Sequence, residues 1–249
     1  MSNLSGSQIL LSPQRAVYER ALQITGNNPD FLVQEKTLIL EQALIPGRNQ
    51  YSFDLFQNTS SDRPGEMKLN RNDMFLVGAI SLQLTKQVSA TDPSTGNEDS
   101  YTFPDPNFFV GAPASGTTPK EYRALNTIYN GFTTIKTSPV ERVRDFYNQH
   151  FRFVPERGVQ KQASPQINDE PGQWGPSNEM RGFYQIIPNV VIDGNENNTL
   201  ELILGKGDTT LIDGSLNSAG AAATTRNVVR YLVNGFLIIN GAKAQLKWF

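Results

Sequence analysis

The sequence contains no cysteine and a single histidine, His150. Disulfide staples, cysteine-ligated zinc or iron–sulfur centres, thiol nucleophiles and every triad or zinc motif that needs two imidazoles are therefore excluded. An excess of one charge is missing too: 22 Lys and Arg stand against 24 Asp and Glu, a net charge of −2. That balance lacks the basic footprint that phosphate backbones require, so no specific nucleic acid is expected as a partner. Charged residues make up 18% of the chain, below the roughly 25% usual in globular domains. Asn and Gln take their place, and an amide-rich surface packs against copies of itself without strong repulsion. Long hydrophobic runs are also absent, since the longest, Met74–Ile80 and Gly235–Ile239, are too short to span a bilayer. The first eleven residues have no positive n-region and only a three-residue apolar stretch, Ile9-Leu10-Leu11. They match neither a secretory signal nor a transit peptide, and a soluble product made in the cytoplasm is expected.

What is present is turn chemistry and strand-forming side chains. With 249 residues, 20 Gly, 15 Pro and 10% aromatics, the chain is ordered and turn-rich, and long enough for one large domain or for two of about 110 to 120 residues. Ser12-Pro13 reads as an N-cap and first helical position, and Val17, Ala21 and Ile24 recur at helical spacing before Gly26. This predicts a helix over Pro13–Thr25 whose single apolar stripe docks on the body of the chain or on a neighbouring copy. From Phe31 onward the pattern changes to alternation and short apolar bursts: Thr37–Leu40, then Tyr51, Phe53 and Leu55, then Met74–Leu84. These are read as strands. Thr118-Pro119 opens a second helix, over Pro119–Asn130, with Tyr122, Leu125 and Tyr129 on one face. Phe132–Lys136 reads as a strand, whereas Val140–His150 fits neither period well. The long segment Glu156–Arg181, with its lone Trp174, reads as a loop of the kind used for function or contact.

The last third is dense in Val, Ile, Leu, Phe and Tyr over Phe183–Val191, Leu200–Leu204, Asn227–Val233 and Phe236–Ile239, separated by Asp-Gly, Gly-Lys-Gly and Asn-Gly turns. Strands joined this way, without alternating long helices, indicate an antiparallel all-β fold. The terminal Trp248-Phe249 is expected to be docked. The two halves share a grammar. Ile45–Leu55 and then Asp73–Ile80 run from a turn with Gly and Asn through an alternating strand to a long apolar one, and Ile192–Leu202 and then Asn227–Ile239 repeat that order. Two barrels are expected on this ground, one over 28–138 and one over 139–249, after an N-terminal arm over 1–27.

Chemistry is sparse. Gly205-Lys206-Gly207 lacks the spacing of a phosphate loop and is followed by no helical pattern, so it reads as a turn. Asp193-Gly194-Asn195-Glu196-Asn197 opens like a calcium loop, but Asn198 and Leu204 stand where that loop needs Gly and Glu. Asp92, Glu98 and Asp99 read as a solvated loop, and His150, beside Phe151, as a packed and hydrogen-bonded imidazole. No catalytic residue, cofactor or metal is expected, and glycosidase carboxylates cannot be paired from sequence because only their spatial separation identifies them.

The succession Phe151-Arg-Phe-Val-Pro155, Gly182-Phe-Tyr-Gln-Ile-Ile-Pro188, Val191-Ile-Asp-Gly194 and Asn198–Leu204 resembles the second barrel of small major capsid proteins of tailless, membrane-containing icosahedral phages. Leu44-Ile-Pro-Gly47 and the Arg71–Val77 strand are similar to their first barrel. The resemblance implies two side-by-side eight-stranded jelly rolls, with a short N-terminal helix and a helix in an inter-strand loop. It also implies a structural, non-enzymatic protein of the virion, a homotrimer that meets neighbouring capsomers and penton or minor capsid proteins over an internal viral membrane. On this reading Ile9, Leu10, Leu11, Val17, Ala21, Ile24 and Trp174 are the expected assembly contacts. The segment Met1–Thr25 is an arm at the base of the capsomer, and the loops Ser89–Thr118 and Glu156–Arg181 carry the trimer interfaces. A carbohydrate-binding jelly-roll module or a glycan-active β-sandwich enzyme is the alternative, because such domains share the fold.

Overall fold

The computed structural model describes residues 12–56, 67–87, 100–102, 120–137, 140–152, 182–210, 212–214 and 225–242. Ile9, Leu10, Leu11, Trp174, Trp248, the acidic cluster Asp92–Asp99 and the loop Glu156–Arg181 lie outside these residues, as does all of Ser89–Thr118 except 100–102.

Helix α1 spans Ser12–Ile24, close to the span its apolar spacing predicts. It ends in a Schellman motif, with Gly26 N–H donating to Gln23 O at 3.0 Å and Asn27 N–H to Leu22 O at 2.9 Å. Gly26 (φ 64°) and Asn27 (φ 55°) both take the left-handed conformation that this turn requires. Strands β1 (Val33–Ala43), β2 (Gln50–Asp54) and β3 (Met74–Gln87) follow, and then helix α2 (Lys120–Tyr129) in the β3–β4 connection. After β4 (Phe132–Thr137) and β5 (Val140–Tyr147), a 3-10 turn over Asn148–Phe151 leads on to β6 (Tyr184–Asp193), β7 (Asn198–Ile203) and β8 (Arg226–Ile238). The two apolar stretches Asn227–Val233 and Phe236–Ile239 thus form one strand, because Asn234 and Gly235 stay in the ladder opposite β1 and β3.

The eight strands form two four-stranded antiparallel sheets, ordered β1-β8-β3-β6 and β2-β7-β4-β5. First pairs with last, β1 with β8, then β2 with β7, β3 with β6 and β4 with β5. Apart from the β4–β5 hairpin, every connection crosses between sheets, which is the winding of a single jelly roll.

This corrects the expectation of two barrels. Strands from 28–138 and from 139–249 interleave in both sheets, so a boundary at 138/139 falls inside the β4–β5 hairpin. The repeated grammar has a different cause. Its two alternating strands, β2 and β7, are direct neighbours, with Tyr51 opposite Leu202 and Phe53 opposite Leu200. Its two long apolar strands, β3 and β8, are neighbours as well. Antiparallel partners facing one core need matching patterns, and that produces two similar halves without duplication.

The core between the sheets contains Leu38, Leu40, Tyr51, Phe53, Phe75, Val77, Ile80, Leu82, Leu200, Leu202, Val229, Tyr231, Val233 and Leu237, with Leu125, Ile128 and Tyr129 from α2 closing against it. A second apolar cluster lies on the outer face of the β1-β8-β3-β6 sheet. There Val17, Ala21 and Ile24 of α1 meet Met74, Leu76, Phe236 and Ile238. Strand β3 is therefore buried on both faces, and a bulge at Gly78 switches which residues point inward, from Phe75 and Val77 to Ile80, Leu82 and Leu84. Opposite the bulge, a Cβ on Gly235 would sit 2.0 Å from Leu76 O, so only glycine allows the strands to approach there.

Candidate functional site

The placement of α1 changes the meaning of three expected assembly contacts. Val17, Ala21 and Ile24 are buried against this chain's own sheet, so they are not offered to a neighbour. Burying Val17 and Ile24 contributes about 1.5 to 3 kcal/mol each, which holds α1 as a cover rather than as a free arm.

The sandwich has two open margins, and they differ. Along β1/β2 the backbone is bridged further: Met67 exchanges both hydrogen bonds with Ile39 at 2.8 and 3.0 Å, and Leu69 N–H donates to Leu55 O at 2.9 Å. The margin along β5 and β6 carries four of the eight large apolar side chains that stand exposed among the described residues, Val140, Tyr147, Tyr184 and Ile187, and Phe132 of the adjoining β4 lies against Tyr147. Ile187, at 78% exposure, is the extreme.

Local irregularities set these side chains out. Strand β5 carries register shifts against β4, and Asp145 sits at φ 49° with its N–H donating to Thr134 Oγ1 at 3.3 Å. Strand β6 leaves the ladder between Gln185 and Val190, where the Ile187–Pro188 bond is cis. Asn189 Nδ2 spans the gap by donating to Val77 O at 3.1 Å and to Ile186 O at 3.2 Å. The margins of both sheets are thereby bulged, a device that prevents open-ended pairing with other strands.

Two features occupy this margin. At the end where β5 finishes and β6 starts, rings cluster: Phe146 and Tyr184 lie 4.6 Å apart, His150 is 5.1 Å from Phe146 and 5.3 Å from Tyr184, and Phe132 is 5.8 Å from Tyr147. His150 is exposed in this group. The expectation of a packed imidazole is thus met only by its ring contacts. Further along, an open groove of about 360 Å³ lies between Val140, Glu141 and Arg142 of β5, Pro188–Val191 of β6, and Arg20 of α1. Its charged groups have both signs, and they continue along β5 as Arg144 and Asp145, 3.4 Å apart.

Below the aromatic end is a buried polar network. Thr133 Oγ1 donates to Asn148 Oδ1 at 2.5 Å, so the Tyr231 hydroxyl, 2.6 Å from the same oxygen, donates to Thr133. Asn148 Nδ2 donates to Ile128 O at 2.7 Å, which ties the 3-10 turn to α2. Burial holds the Tyr231 phenol far above its ordinary range, against a smaller lowering by the Thr133 hydrogen bond. Tyr129 is raised by burial too, with Arg152 opposing. Both phenols are neutral in water at any working pH and act as structural groups.

No group of three or more His, Asp or Glu that could hold a metal exists among the described residues. The Asp193–Asn197 turn is held by its own bonds, with Asn195 N–H donating to Asp193 Oδ1 at 2.8 Å and Asn198 Nδ2 to the carbonyls of Asp193 and Glu196. The β5/β6 margin was not legible as a site in the sequence. Its signal was the poor periodicity of Val140–His150, which is how a bulged strand that turns only Val143 and Phe146 to the core reads. No protein-family model, curated protein or solved structure matches the chain.

Proposed function

We propose that the chain is a structural, self-assembling subunit of a viral capsid, with no enzymatic role, built on one jelly roll. The observation that carries this reading is the combination of jelly-roll winding with an exposed margin of apolar side chains and charges of both signs. A compact β sandwich with bulged, non-propagating margins is suited to finite, symmetric contacts among many copies. The near-neutral, amide-rich composition supports the same reading.

Its partners are copies of the same chain, as homotrimers and neighbouring capsomers, with penton or minor capsid proteins completing the shell of a virion. The lineage named in the resemblance has two barrels side by side in each chain. With one jelly roll per chain that arrangement is not proposed, and the internal membrane of that lineage is not carried over. The test is light scattering and electron microscopy of the purified full chain: trimers or closed shells support the proposal, and a monomer at all accessible concentrations overturns it.

A second reading has one observation in its favour. Phe132, Tyr147, Tyr184 and His150 form an exposed ring surface with Gln149 beside it, its Nε2 donating to Asn130 Oδ1 at 2.8 Å. Aromatic faces next to side-chain amides suit a glycan, and monomers retained on a polysaccharide column would favour this carbohydrate-binding reading over the capsid one.

A further inference from the structure

We propose that Asn130, Phe132, Tyr147 and Gln149, at the open end of the β4–β5 hairpin, form a binding site for one neutral pyranose residue with adjacent hydroxyl groups. The proposal rests on the carbohydrate-binding reading above and deepens it, by naming the residues and the class of sugar.

The end of the hairpin builds the site. Phe132 and Tyr147 are direct partners, and their rings lie 5.8 Å apart. One step further, Asn148 N–H donates to Gly131 O at 3.0 Å, and the Asn148 side chain turns into the buried network, to Ile128 O. Beyond it Gln149 Nε2 donates to Asn130 Oδ1 at 2.8 Å, in an exposed pair. The amide pair is thus two residues from the ring pair on both sides of the hairpin, at most about 7 Å along each backbone. One sugar ring with its hydroxyl groups spans that separation. The backbone beneath the amides is tightly seated: an added Cβ on Gly131 would meet Ile203 O at 2.0 Å, and one on Gly205 would meet Asn130 O at 2.5 Å. A site held this way loses little freedom when a ligand arrives.

The chemistry of the four side chains selects the ligand. The bond between the amides leaves Gln149 Oε1 to accept and Asn130 Nδ2 to donate, and two adjacent hydroxyl groups offer one of each in return. The rings supply apolar surface for the C–H face of the pyranose. None of the four side chains is charged, whereas an acidic sugar calls for an arginine or lysine to pair its carboxylate. The extent of the patch argues against a protein partner, because each side of a stable protein interface contributes about 800 Å². Phe132 and Tyr147, at 39% and 41% exposure, leave only about 150 Å² of ring surface open. That area suits one sugar residue.

The chain's only histidine reports on this site, because the His150 ring lies edge-on to that of Tyr147 at 6.4 Å. The test follows the His150 imidazole protons by NMR in the full-length chain. The probes are methyl β-D-galactopyranoside, methyl β-D-glucopyranoside and methyl α-D-mannopyranoside, with glucuronate as the acidic comparison. At least one neutral glycoside is expected to shift these signals saturably, and glucuronate to bind no more tightly. Tyr147→Ala and Gln149→Ala, with far-UV circular dichroism as the folding control, are each expected to weaken that binding at least about tenfold. Tyr147→Phe keeps the ring and is expected to bind within about threefold of the parent. Parent and both alanine variants retained alike on a neutral polysaccharide column would overturn this site and leave the carbohydrate-binding reading standing. A parent that none of the glycosides shifts and no such column retains would overturn both. Tighter binding of glucuronate would overturn the neutral class, and self-association lost in Tyr147→Ala without sugar binding in the parent would assign the patch to a second copy instead.

Discussion

The outer faces of the two sheets are built to opposite rules. On the β1-β8-β3-β6 sheet the half beneath α1 is apolar, and Met74, Leu76, Phe236 and Ile238 are covered by the helix. The outer face of the β2-β7-β4-β5 sheet has no such cover among the described residues. It carries a polar row in which Gln50 Nε2 and Lys136 Nζ reach Glu201 Oε2 at 3.5 and 2.7 Å, with Glu141 3.7 Å beyond the lysine. A strand covered on both sides reads as a continuous apolar run, as β3 does, whereas one with a wet face alternates, as β2 and β7 do. Apolar continuity in a strand therefore locates the place where a helix must dock.

That contrast can be broken most severely at Gly235, beneath the helix. Gly235→Ala places a methyl group against the Leu76 carbonyl, a backbone atom that cannot yield without parting β3 from β8. A loss of about 3 kcal/mol or more is expected in urea unfolding, or failure to fold. Next in size is a matched pair of truncations, one on each outer face. Phe236→Ala, 5% exposed, should cost about 3 to 5 kcal/mol. Phe132→Ala, 39% exposed on the other sheet, should cost about 1 kcal/mol or less. Equal costs would mean that the second face is covered as well.

Smaller effects sharpen the comparison within the core. Tyr231→Phe removes the donor to Thr133 and should cost about 1 kcal/mol. Tyr129→Phe should be neutral or slightly stabilising, because the Tyr129 hydroxyl is buried without a hydrogen-bond partner among the described residues. The smallest effect is electrostatic. The hydrogen bond that Lys136 Nζ donates to Glu201, then the charges of Glu201 and Glu141, raise the Lys136 pKa above its ordinary 10.5. The folded form therefore holds this proton more tightly than the unfolded one. The stabilisation is complete below that ordinary value and fades as pH rises through the raised one. Lys136→Met should accordingly lower the melting temperature slightly at pH 7 and flatten its decline above pH 10.5.

Much of the secondary structure was legible because its causes are local. Ser12-Pro13 and Gly26 bound α1, the alternation of Tyr51 and Phe53 marks β2, and Thr118-Pro119 announces α2. Pairing was not legible, since nothing near Val33 indicates that its neighbour is Ile238. The two halves look duplicated for the same reason, since β2 and β7, and likewise β3 and β8, are paired neighbours with matching patterns. The helix stripe was found, but whether Val17, Ala21 and Ile24 face a neighbour or their own sheet depends on Phe236 and Ile238, far along the chain. The margin escaped because bulges at Asp145 and around Pro188 erase the period that identifies strands.

The first-with-last pairing has a consequence for how the chain comes to be folded. Only β4 and β5 are close in sequence, while Val33 and Ile238 meet across about 200 residues of chain. Order can spread outward from the β4–β5 hairpin, each pair shortening the loop that the next must close. During synthesis α1 and β1 emerge before β8, their cover and their partner, exists. For that interval the chain carries an amphipathic helix and an unpaired strand, and its most vulnerable moment is on the ribosome rather than in the folded sandwich.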